Sequence, residues 1–199
     1  MRPFFATLIL LFFLPLMFVI AIIIVIDDPS AGPFYKQIRV GRHGKEFYMY
    51  KFRTMKANAD KMIDALAKQN EMDGPVFKIK KDPRITRVGR FLRKSGIDEL
   101  PQLWAIFRGV LSFVGPRPER EVFYDAFETY IHGFRERLKV KPGLTGLAQI
   151  TGGSLMPPEE KIVYDIEYIR NRSFTLDLKL MVRTAVVVLG KVFRNEHRK

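Results

Sequence analysis

Near its centre the chain reads Asp98-Glu99-Leu100-Pro101-Gln102-Leu103, so that two adjacent carboxylates precede a short apolar stretch. Pro101 suits the first turn of a helix, where N–H groups lack intrahelical partners, and Gly109 is a typical helix stop. The pattern predicts a helix from about Glu99 to Arg108 with Asp98 at or near its N-cap. From the residues alone two interpretations stay open: the carboxylates only cap the helix and complement its dipole, or they act on a phosphorylated substrate.

The chemical interpretation uses the same predicted helix end. A helix N-terminus attracts anions, and a carboxylate there can attack phosphorus as a nucleophile. A neighbouring carboxylate can hold Mg²⁺, which offsets the repulsion between an anionic nucleophile and a diphosphate. Downstream, Gly115-Pro116-Arg117-Pro118 predicts a rigid turn that presents one guanidinium, a group that pairs bidentately with phosphate. The glycine-rich loop from Lys141 to Gly153 could bring backbone N–H groups close to a phosphate or a base.

The composition favours an anionic partner. The 199 residues include 34 Lys+Arg against 21 Asp+Glu, a formal net charge of +13. Such a charge attracts nucleic acid, anionic lipid headgroups or phosphorylated small molecules. The absence of cysteine excludes disulfides and thiolate metal sites, and the three histidines show no metal-ligand spacing. The length fits one domain with a substantial core.

The apolar segment Phe4–Ile26 contains no charged residue over 23 positions, about 34 Å as a helix. It is too long for the core of a signal peptide and is followed by no cleavage site. Pro15 predicts a kink, so the segment is either a kinked single span or a helix-break-helix that enters and leaves one leaflet. The excess of Lys and Arg after it places the rest on the cytoplasmic side. We therefore expect a membrane segment over 1–26 and a cytoplasmic domain over 27–199.

The remaining patterns predict a mainly helical α+β fold. Phe34–Met55 alternates apolar and basic groups around Gly41–Gly44, as in a β-hairpin. Asn58–Asn70 has helical spacing. Asp177–Phe193 predicts an amphipathic helix that lies at the membrane interface or packs as an ordinary terminal helix. One further amphipathic helix is predicted by aromatic and apolar core positions that recur every three or four residues, namely Phe123, Phe127, Tyr130, Phe134 and Leu138.

A basic run precedes the carboxylate pair and is interleaved with apolar residues. It predicts in part an amphipathic helix whose cationic face is either solvated or in contact with phosphate or lipid. Its basic members are Lys78, Lys80, Lys81, Arg84, Arg87, Arg90, Arg93 and Lys94.

Taken together and in this order, the motifs resemble the bacterial sugar transferase family, the monotopic polyprenyl-phosphate phosphoglycosyl transferases. The resemblance covers nearly the whole chain. It is carried by the apolar segment with Pro15 and by these motifs: Tyr50-Lys51-Phe52-Arg53-Thr54-Met55, Asp82-Pro83-Arg84-Ile85-Thr86, Gly89-Arg90-Phe91-Leu92-Arg93, Asp98-Glu99-Leu100-Pro101-Gln102-Leu103, Gly115-Pro116-Arg117-Pro118, Pro142-Gly143-Leu144-Thr145-Gly146 and Tyr164-Asp165.

This resemblance implies an enzyme of the bacterial cytoplasmic membrane that transfers a sugar-1-phosphate from a UDP-sugar to undecaprenyl phosphate and releases UMP. Asp98 would attack the β-phosphorus and form a covalent intermediate, Glu99 would bind Mg²⁺ or orient the phosphates, and Arg117 would hold the donor. It also implies a re-entrant apolar segment, homodimers among the possible assemblies, and no nucleic acid partner. The supporting substrate-binding residues would be Lys51, Arg53, Arg84, Asp165, Gly143, Gly146 and Gln149.

The chain departs from the family pattern in two places. Leu14 stands where the family commonly has a serine before the central proline, and only Met1-Arg2-Pro3 precedes the apolar segment, where the family has a basic and acidic pair. We therefore expect a catalytic domain clipped from a longer enzyme. The stretch Asn58–Lys81 is similar to the insert of hexose-1-phosphate transferring members, which favours UDP-glucose or UDP-galactose. The alternative class is a membrane-tethered basic protein that binds nucleic acid or anionic lipid.

Overall fold

The computed structural model describes residues 2–70, 79, 81–153 and 156–193. The N-terminal helix α1 (Arg2–Asp27) continues through Pro15, where the lost hydrogen bond permits a bend without ending the helix. Its stretch Ala6–Asp27 is the one described helix that is long and apolar enough to cross a membrane, and most of it is exposed. The membrane segment is thus helical, and its re-entrant path stays a prediction.

The predicted hairpin is confirmed. Strands β1 (Phe34–Val40) and β2 (Glu46–Phe52) pair antiparallel, with Phe34 opposite Phe52 and Val40 opposite Glu46. A 3₁₀ turn over Arg42–Gly44 joins them, with positive φ at its last two residues. The hairpin therefore returns the chain to the C-terminal end of α1.

The segment with predicted helical spacing over Asn58–Asn70 forms three short helical turns in place of one regular helix. It consists of a 3₁₀ turn (Ala59–Met62), helix α2 (Ile63–Leu66) and a second 3₁₀ turn (Ala67–Gln69). Part of the basic run then forms helix α3 (Arg87–Ser95), capped by Thr86 Oγ1, which accepts a bond from the N–H of Gly89. Lys78 and Lys80 of that run lie outside the described residues.

The expectation that Asp98 caps a regular helix was wrong. Gly96, with φ of 71°, ends α3, and the chain then forms a 3₁₀ turn over Ile97–Gln102 before helix α4 (Leu103–Phe107) begins. Pro101 lies inside this turn and donates no hydrogen bond, which leaves the short-pitched geometry in place. Asp98 and Glu99 therefore lie within the turn, and Gly109, with φ of 71°, ends the helical stretch as expected.

The single amphipathic helix predicted from the aromatic periodicity over residues 123–138 was also wrong in extent. Helix α5 (Glu121–Glu128) ends before Gly133, whose φ of 83° breaks the predicted single helix, and a 3₁₀ turn follows over Phe134–Lys139. Phe127 and Phe134 are buried core residues as predicted, whereas Tyr130 is exposed. Gly133 is held in this conformation because its N–H donates to the Glu128 carboxylate.

A second sheet forms where the sequence predicted only a turn and a loop. Strands β3 (Ser112–Val114) and β4 (Gly143–Thr145) pair in parallel. A Cβ on Gly143 would lie 2.1 Å from the backbone nitrogen of Gly115, so only glycine permits this approach. Helices α6 (Leu147–Thr151), α7 (Pro158–Asn171) and α8 (Phe174–Phe193) complete the described fold.

Helix α1 packs directly on the globular part. Its N-terminal half contacts α4 through Ala6, Leu103 and Ile106. Its C-terminal half packs Ile20 and Ile24 against Phe52 and Leu92, and the partly buried Ile97 and Leu100 join this cluster. These two residues directly flank Asp98 and Glu99, so the 3₁₀ turn rests on the membrane helix.

Candidate active site

Three elements meet around the carboxylate pair. The 3₁₀ turn supplies Asp98 and Glu99, strand β2 supplies Lys51, and the loop after β3 supplies Arg117. The structure thereby brings these four residues, from segments that lie far apart in sequence, into one cluster. Their roles in catalysis stay predictions.

The Glu99 carboxylate is bound by two cations, mainly through one of its oxygens. Its Oε1 accepts hydrogen bonds from Lys51 Nζ and from Arg117 NH2, each at 2.6 Å, and its Oε2 lies 3.5 Å from Arg117 NH1. Burial alone would raise the pKa of this carboxyl, but Arg117 and Lys51 outweigh it and lower the pKa to about 2. The Glu99 carboxylate is therefore ionised at neutral pH and fixed in orientation.

The two cations respond in opposite directions. The charge of Glu99 raises the pKa of Arg117 above its ordinary value. Burial and the nearby Arg117 charge lower the pKa of Lys51, although Glu99 opposes them. The cluster thus places two cations around one carboxylate that they bind, with the Asp98 carboxyl beside them.

Asp98 differs from its neighbour. It is buried, yet its carboxylate makes no hydrogen bond or ion pair with any described residue. Burial raises the pKa of the Asp98 carboxyl, the charge of Glu99 adds to this, and Lys51 and Arg93 oppose it. Adjacent carboxyl groups whose pKa values move apart are typical of sites where the two have different chemical roles.

Arg93 is the residue at this site that sequence reasoning did not select. Its Nε donates to Thr54 Oγ1 at 2.8 Å, and its charge acts on Asp98. Burial lowers the pKa of Arg93, and the charge of Asp98 opposes this. Arg93 belongs to the basic run that the sequence shows, but the sequence did not distinguish it from the other basic residues of that run. The chain reverses at Gly96, and Asp98 then lies close enough for the charge of Arg93 to act on it.

Arg53 and Arg84 were expected to bind substrate, and the structure places their guanidinium groups elsewhere. Arg53 Nε donates to the carbonyl of Gly32 at 2.8 Å and thereby fastens the exit of α1. Arg84 is buried and pairs with Asp82, with NH2 to Oδ2 at 2.7 Å. Both side chains are engaged in stabilising the chain around β2 and α3.

The glycine loop is also used internally. The N–H of Gly143 donates to the carbonyl of Pro116 at 2.9 Å, so it does not face a phosphate. A Cβ on Gly146 would lie 2.3 Å from the carbonyl oxygen of Gly115. Gln149 donates from Nε2 to the carbonyl of Leu144, while its buried Oε1 has no partner among the described residues. The loop therefore supports the turn that carries Arg117.

Asp165 is buried and pairs with Arg137, whose Nε lies 2.7 Å from Asp165 Oδ2. Both side chains are essentially inaccessible. Asp165 thus has an internal partner, and its expected role in substrate binding stays a prediction.

The carboxylates of Asp98 and Glu99 are the possible protein ligands for Mg²⁺ at this site. Within the described residues no group of three or more His, Cys, Asp or Glu side chains is placed to hold a metal. Mg²⁺ nevertheless needs only one or two carboxylates when substrate phosphates and water complete its shell. The unbonded Asp98 carboxylate and the weakly contacted Oε2 of Glu99 fit this requirement in the presence of a diphosphate.

Comparison with known proteins identifies the family. The family model described as "Bacterial sugar transferase" matches residues 2–191. The chain is 41% identical over 185 residues, 89% of its length, to a UDP-glucose:undecaprenyl-phosphate glucose-1-phosphate transferase of Xanthomonas campestris pv. campestris. It is 41% identical over 81% of its length to an undecaprenyl-phosphate galactose phosphotransferase of Salmonella typhimurium. A galactosyl transferase, CpsE, of Streptococcus agalactiae is 42% identical over 80% of the chain.

The chain spans about a third of the length of these relatives, with 35%, 34% and 35% of them covered in that order. The match to the family model, over residues 2–191, includes the carboxylate pair, the Pro-Arg-Pro turn and the N-terminal helix. Sequence, site geometry and these similarities agree, and the chain belongs to the bacterial sugar transferase family.

Proposed function

We propose that this protein transfers a hexose-1-phosphate from a UDP-sugar to undecaprenyl phosphate, in the first membrane step of polysaccharide or glycoconjugate assembly. The names of its relatives support the donor, the acceptor and the reaction. The observation that carries the proposal is the contrast within the carboxylate pair. Glu99 is bound by Lys51 and Arg117, whereas Asp98 is buried beside them with its oxygens unbonded.

The reaction proceeds in two displacements at one phosphorus atom. An Asp98 oxygen attacks the β-phosphorus, the bond from that phosphorus to the oxygen bridging the α-phosphate breaks, and UMP leaves. An oxygen of undecaprenyl phosphate then attacks the same phosphorus, the bond to Asp98 breaks, and the carboxylate is regenerated. The product is a sugar joined to the lipid through a diphosphate, so atoms and charge balance.

The cations beside Asp98 act on the phosphates. Arg117 and Lys51 stabilise the charge that develops on the leaving α-phosphate, and Glu99 orients both cations until the donor arrives. Glu99, with Asp98 and the donor phosphates, would hold Mg²⁺, which when bound reduces the negative charge that the nucleophile must approach.

Two exposed apolar surfaces support the membrane arrangement that we propose. In this proposal α1, an apolar helix that contains Pro15, enters and leaves one leaflet, and the catalytic domain faces the cytoplasm. α8 exposes apolar residues four positions apart, on one face, and this face lies on the bilayer surface. Its members are Phe174, Leu178, Val182 and Val186.

Intact mass spectrometry of the purified protein with Mg²⁺ and a panel of UDP-sugars, without lipid acceptor, tests the proposal. We expect an adduct of one hexose phosphate with UDP-glucose or UDP-galactose, present in the wild type and absent in Asp98→Asn. Asp125→Asn is the matched control, because Asp125 is an exposed aspartate paired with Arg135. UMP release only when undecaprenyl phosphate is present, without an adduct, would refute the covalent route.

The same experiment separates the alternative class. A membrane-tethered basic protein that binds nucleic acid or anionic lipid would show neither adduct nor UMP with any donor. In that class Asp98→Asn would leave binding intact or strengthen it, because the substitution removes one negative charge from a cationic surface.

A further inference from the structure

The Pro116–Glu119 segment, which carries Arg117, is held in an unusual way. Pro116 and Pro118 have no N–H, so this stretch has few donors with which to bond to the rest of the fold. Its carbonyl oxygens must therefore serve as the anchoring points.

Four successive carbonyls of this segment each accept a hydrogen bond. The Pro116 oxygen accepts from the N–H of Gly143 at 2.9 Å and the Glu119 oxygen from the N–H of Val40 at 2.9 Å. The Pro118 oxygen accepts from Arg39 NH1 at 3.3 Å. The Arg117 oxygen itself accepts from Arg137 NH2 at 2.9 Å.

Arg137 is the more deeply buried of the two arginines that donate to these carbonyls, and burying its charge is costly. Its side chain has no exposed surface, and its NH1 has no hydrogen-bond partner among the described residues. Its Nε is bound to Asp165 Oδ2 at 2.7 Å, and its guanidinium lies 4.7 Å from the centre of the Phe134 ring. A buried ion pair contributes little net stability compared with apolar residues of similar size. Stability therefore gives a poor reason for an arginine at this position.

The orientation of Arg117 gives a better reason. Arg137 donates to the backbone carbonyl of Arg117, and Asp165 in turn holds the Arg137 guanidinium. From this supported backbone, the Arg117 guanidinium reaches Glu99, with NH2 2.6 Å from Oε1. An electrostatic group helps a transition state only when it is already in place, and a displacement near 1 Å costs much of that effect.

We infer that Arg137, oriented by Asp165, is a positioning residue that holds Arg117 in place for the phosphates of the donor. The inference rests on the proposed function and deepens it. It gives Asp165 a role through Arg137 and Arg117, without contact with the substrate.

A double replacement tests this without leaving a buried charge unpaired. Arg137→Met combined with Asp165→Leu replaces the ion pair by apolar side chains, which is commonly neutral or stabilising. We expect an unchanged or higher Tm, together with at least a tenfold fall in kcat/KM for the UDP-sugar and an unchanged KM for undecaprenyl phosphate. Arg135→Met is the control, because Arg135 is nearby in sequence but pairs with Glu121 and Asp125 at the surface.

A double-mutant cycle separates positioning from general damage. In an Arg117→Met background, the paired replacement is expected to change kcat/KM by less than about twofold, because its effect passes through Arg117. An equal fall in both backgrounds, or no effect on the donor in either, would overturn the inference. Arg137→Lys is a second variant, which keeps the charge near Asp165 but cannot reach both Asp165 and the Arg117 carbonyl, and it should recover only part of the activity.

A readout independent of activity separates this inference from the proposed function. Nitrogen-15 relaxation of the Arg117 Nε–H group, assigned with Arg117→Lys, should report a rigid side chain in the wild type and a mobile one in the paired replacement. Equal rigidity in both proteins would refute the positioning role even if UMP release is normal. Absence of UMP release in the wild type would refute the proposed function, while the relaxation result would still decide whether Arg137 fixes Arg117.

Discussion

Lys51 and Glu99 form an ion pair in which Nζ and Oε1 lie 2.6 Å apart, although 48 positions separate them in sequence. The pair joins strand β2 to the 3₁₀ turn, so the hairpin and the carboxylate pair move as one unit. It also means that the cation expected to meet the donor is already bound to a carboxylate. Glu99 occupies one of the three N–H donors of the Lys51 ammonium, which leaves two for a phosphate.

Replacing Lys51 by Met should lower kcat/KM for the UDP-sugar by roughly a hundredfold or more, because one preorganised cation is lost from the site. Steady-state UMP release measures the effect. Lys139→Met is the control, since Lys139 is exposed and pairs with the nearby Glu136. A fall of equal size in the control would show that net charge, and not this position, matters.

Asp98→Asn should abolish the phosphosugar adduct and, in the same protein, raise the Tm at pH 7. The sign follows from the pKa of Asp98, which burial raises above its unfolded value. The ionised carboxylate is thus disfavoured in the folded state, and stability lost through it at neutral pH returns as the pH falls. Thermal unfolding checks this, and a lower Tm in Asp98→Asn would contradict the assignment of strain to this carboxylate.

Acid should act on Glu99 in the opposite direction. Its folded pKa of about 2 lies below the ordinary 4.5, so its stabilisation is present above about pH 4.5 and is lost as the pH falls toward 2. The linkage is on the order of 3 kcal/mol from 1.36 kcal/mol per pKa unit. Denaturant unfolding at pH 7, 4 and 3 should show the stability of the wild type converging on that of Glu99→Gln. A difference that is constant with pH would contradict the prediction.

Gly143→Ala should destabilise the protein by about 3 kcal/mol, because the added methyl group meets backbone atoms that cannot move away easily. The clash is with Gly115 N at 2.1 Å and Thr145 O at 2.5 Å. Gly32→Ala is the matched control, since an added Cβ there meets nothing within 4 Å. Thermal unfolding of both variants measures the contrast, and equal Tm values would argue against the close pairing of β3 and β4.

Local patterns predicted the parts of the fold that local physics determines. The alternation on each side of Gly41–Gly44 predicted the hairpin, and the uncharged run predicted α1. The pairing of β3 with β4 was missed because it joins segments about 30 residues apart, and strands of three residues are too short to show an alternating pattern. The break at Gly133 was missed because apolar spacing alone does not show where the backbone reverses.

The sequence motifs indicated which charged residues to expect at the site, but not the contacts that each of them makes. A charged residue in a motif indicates an ionic partner, but sequence does not show whether that partner is a substrate or another side chain. Arg84 and Asp165 illustrate this, since each is bound to an internal partner, Asp82 and Arg137 respectively. Asp98, Glu99, Lys51 and Arg117 did meet in one cluster, because the reversal at Gly96 and the hairpin bring them together.

The packing of Ile97 and Leu100 on Ile20 and Ile24 has a geometric consequence. Residues on either side of Asp98 are fastened to the membrane helix, so no flexible tether separates the carboxylate pair from the bilayer. In a membrane the height of Asp98 above the lipid headgroups is then fixed by the depth at which α1 sits. The bilayer itself becomes a reference plane for the reaction, and the depth of α1 determines whether a phosphate at the lipid surface lies level with Asp98.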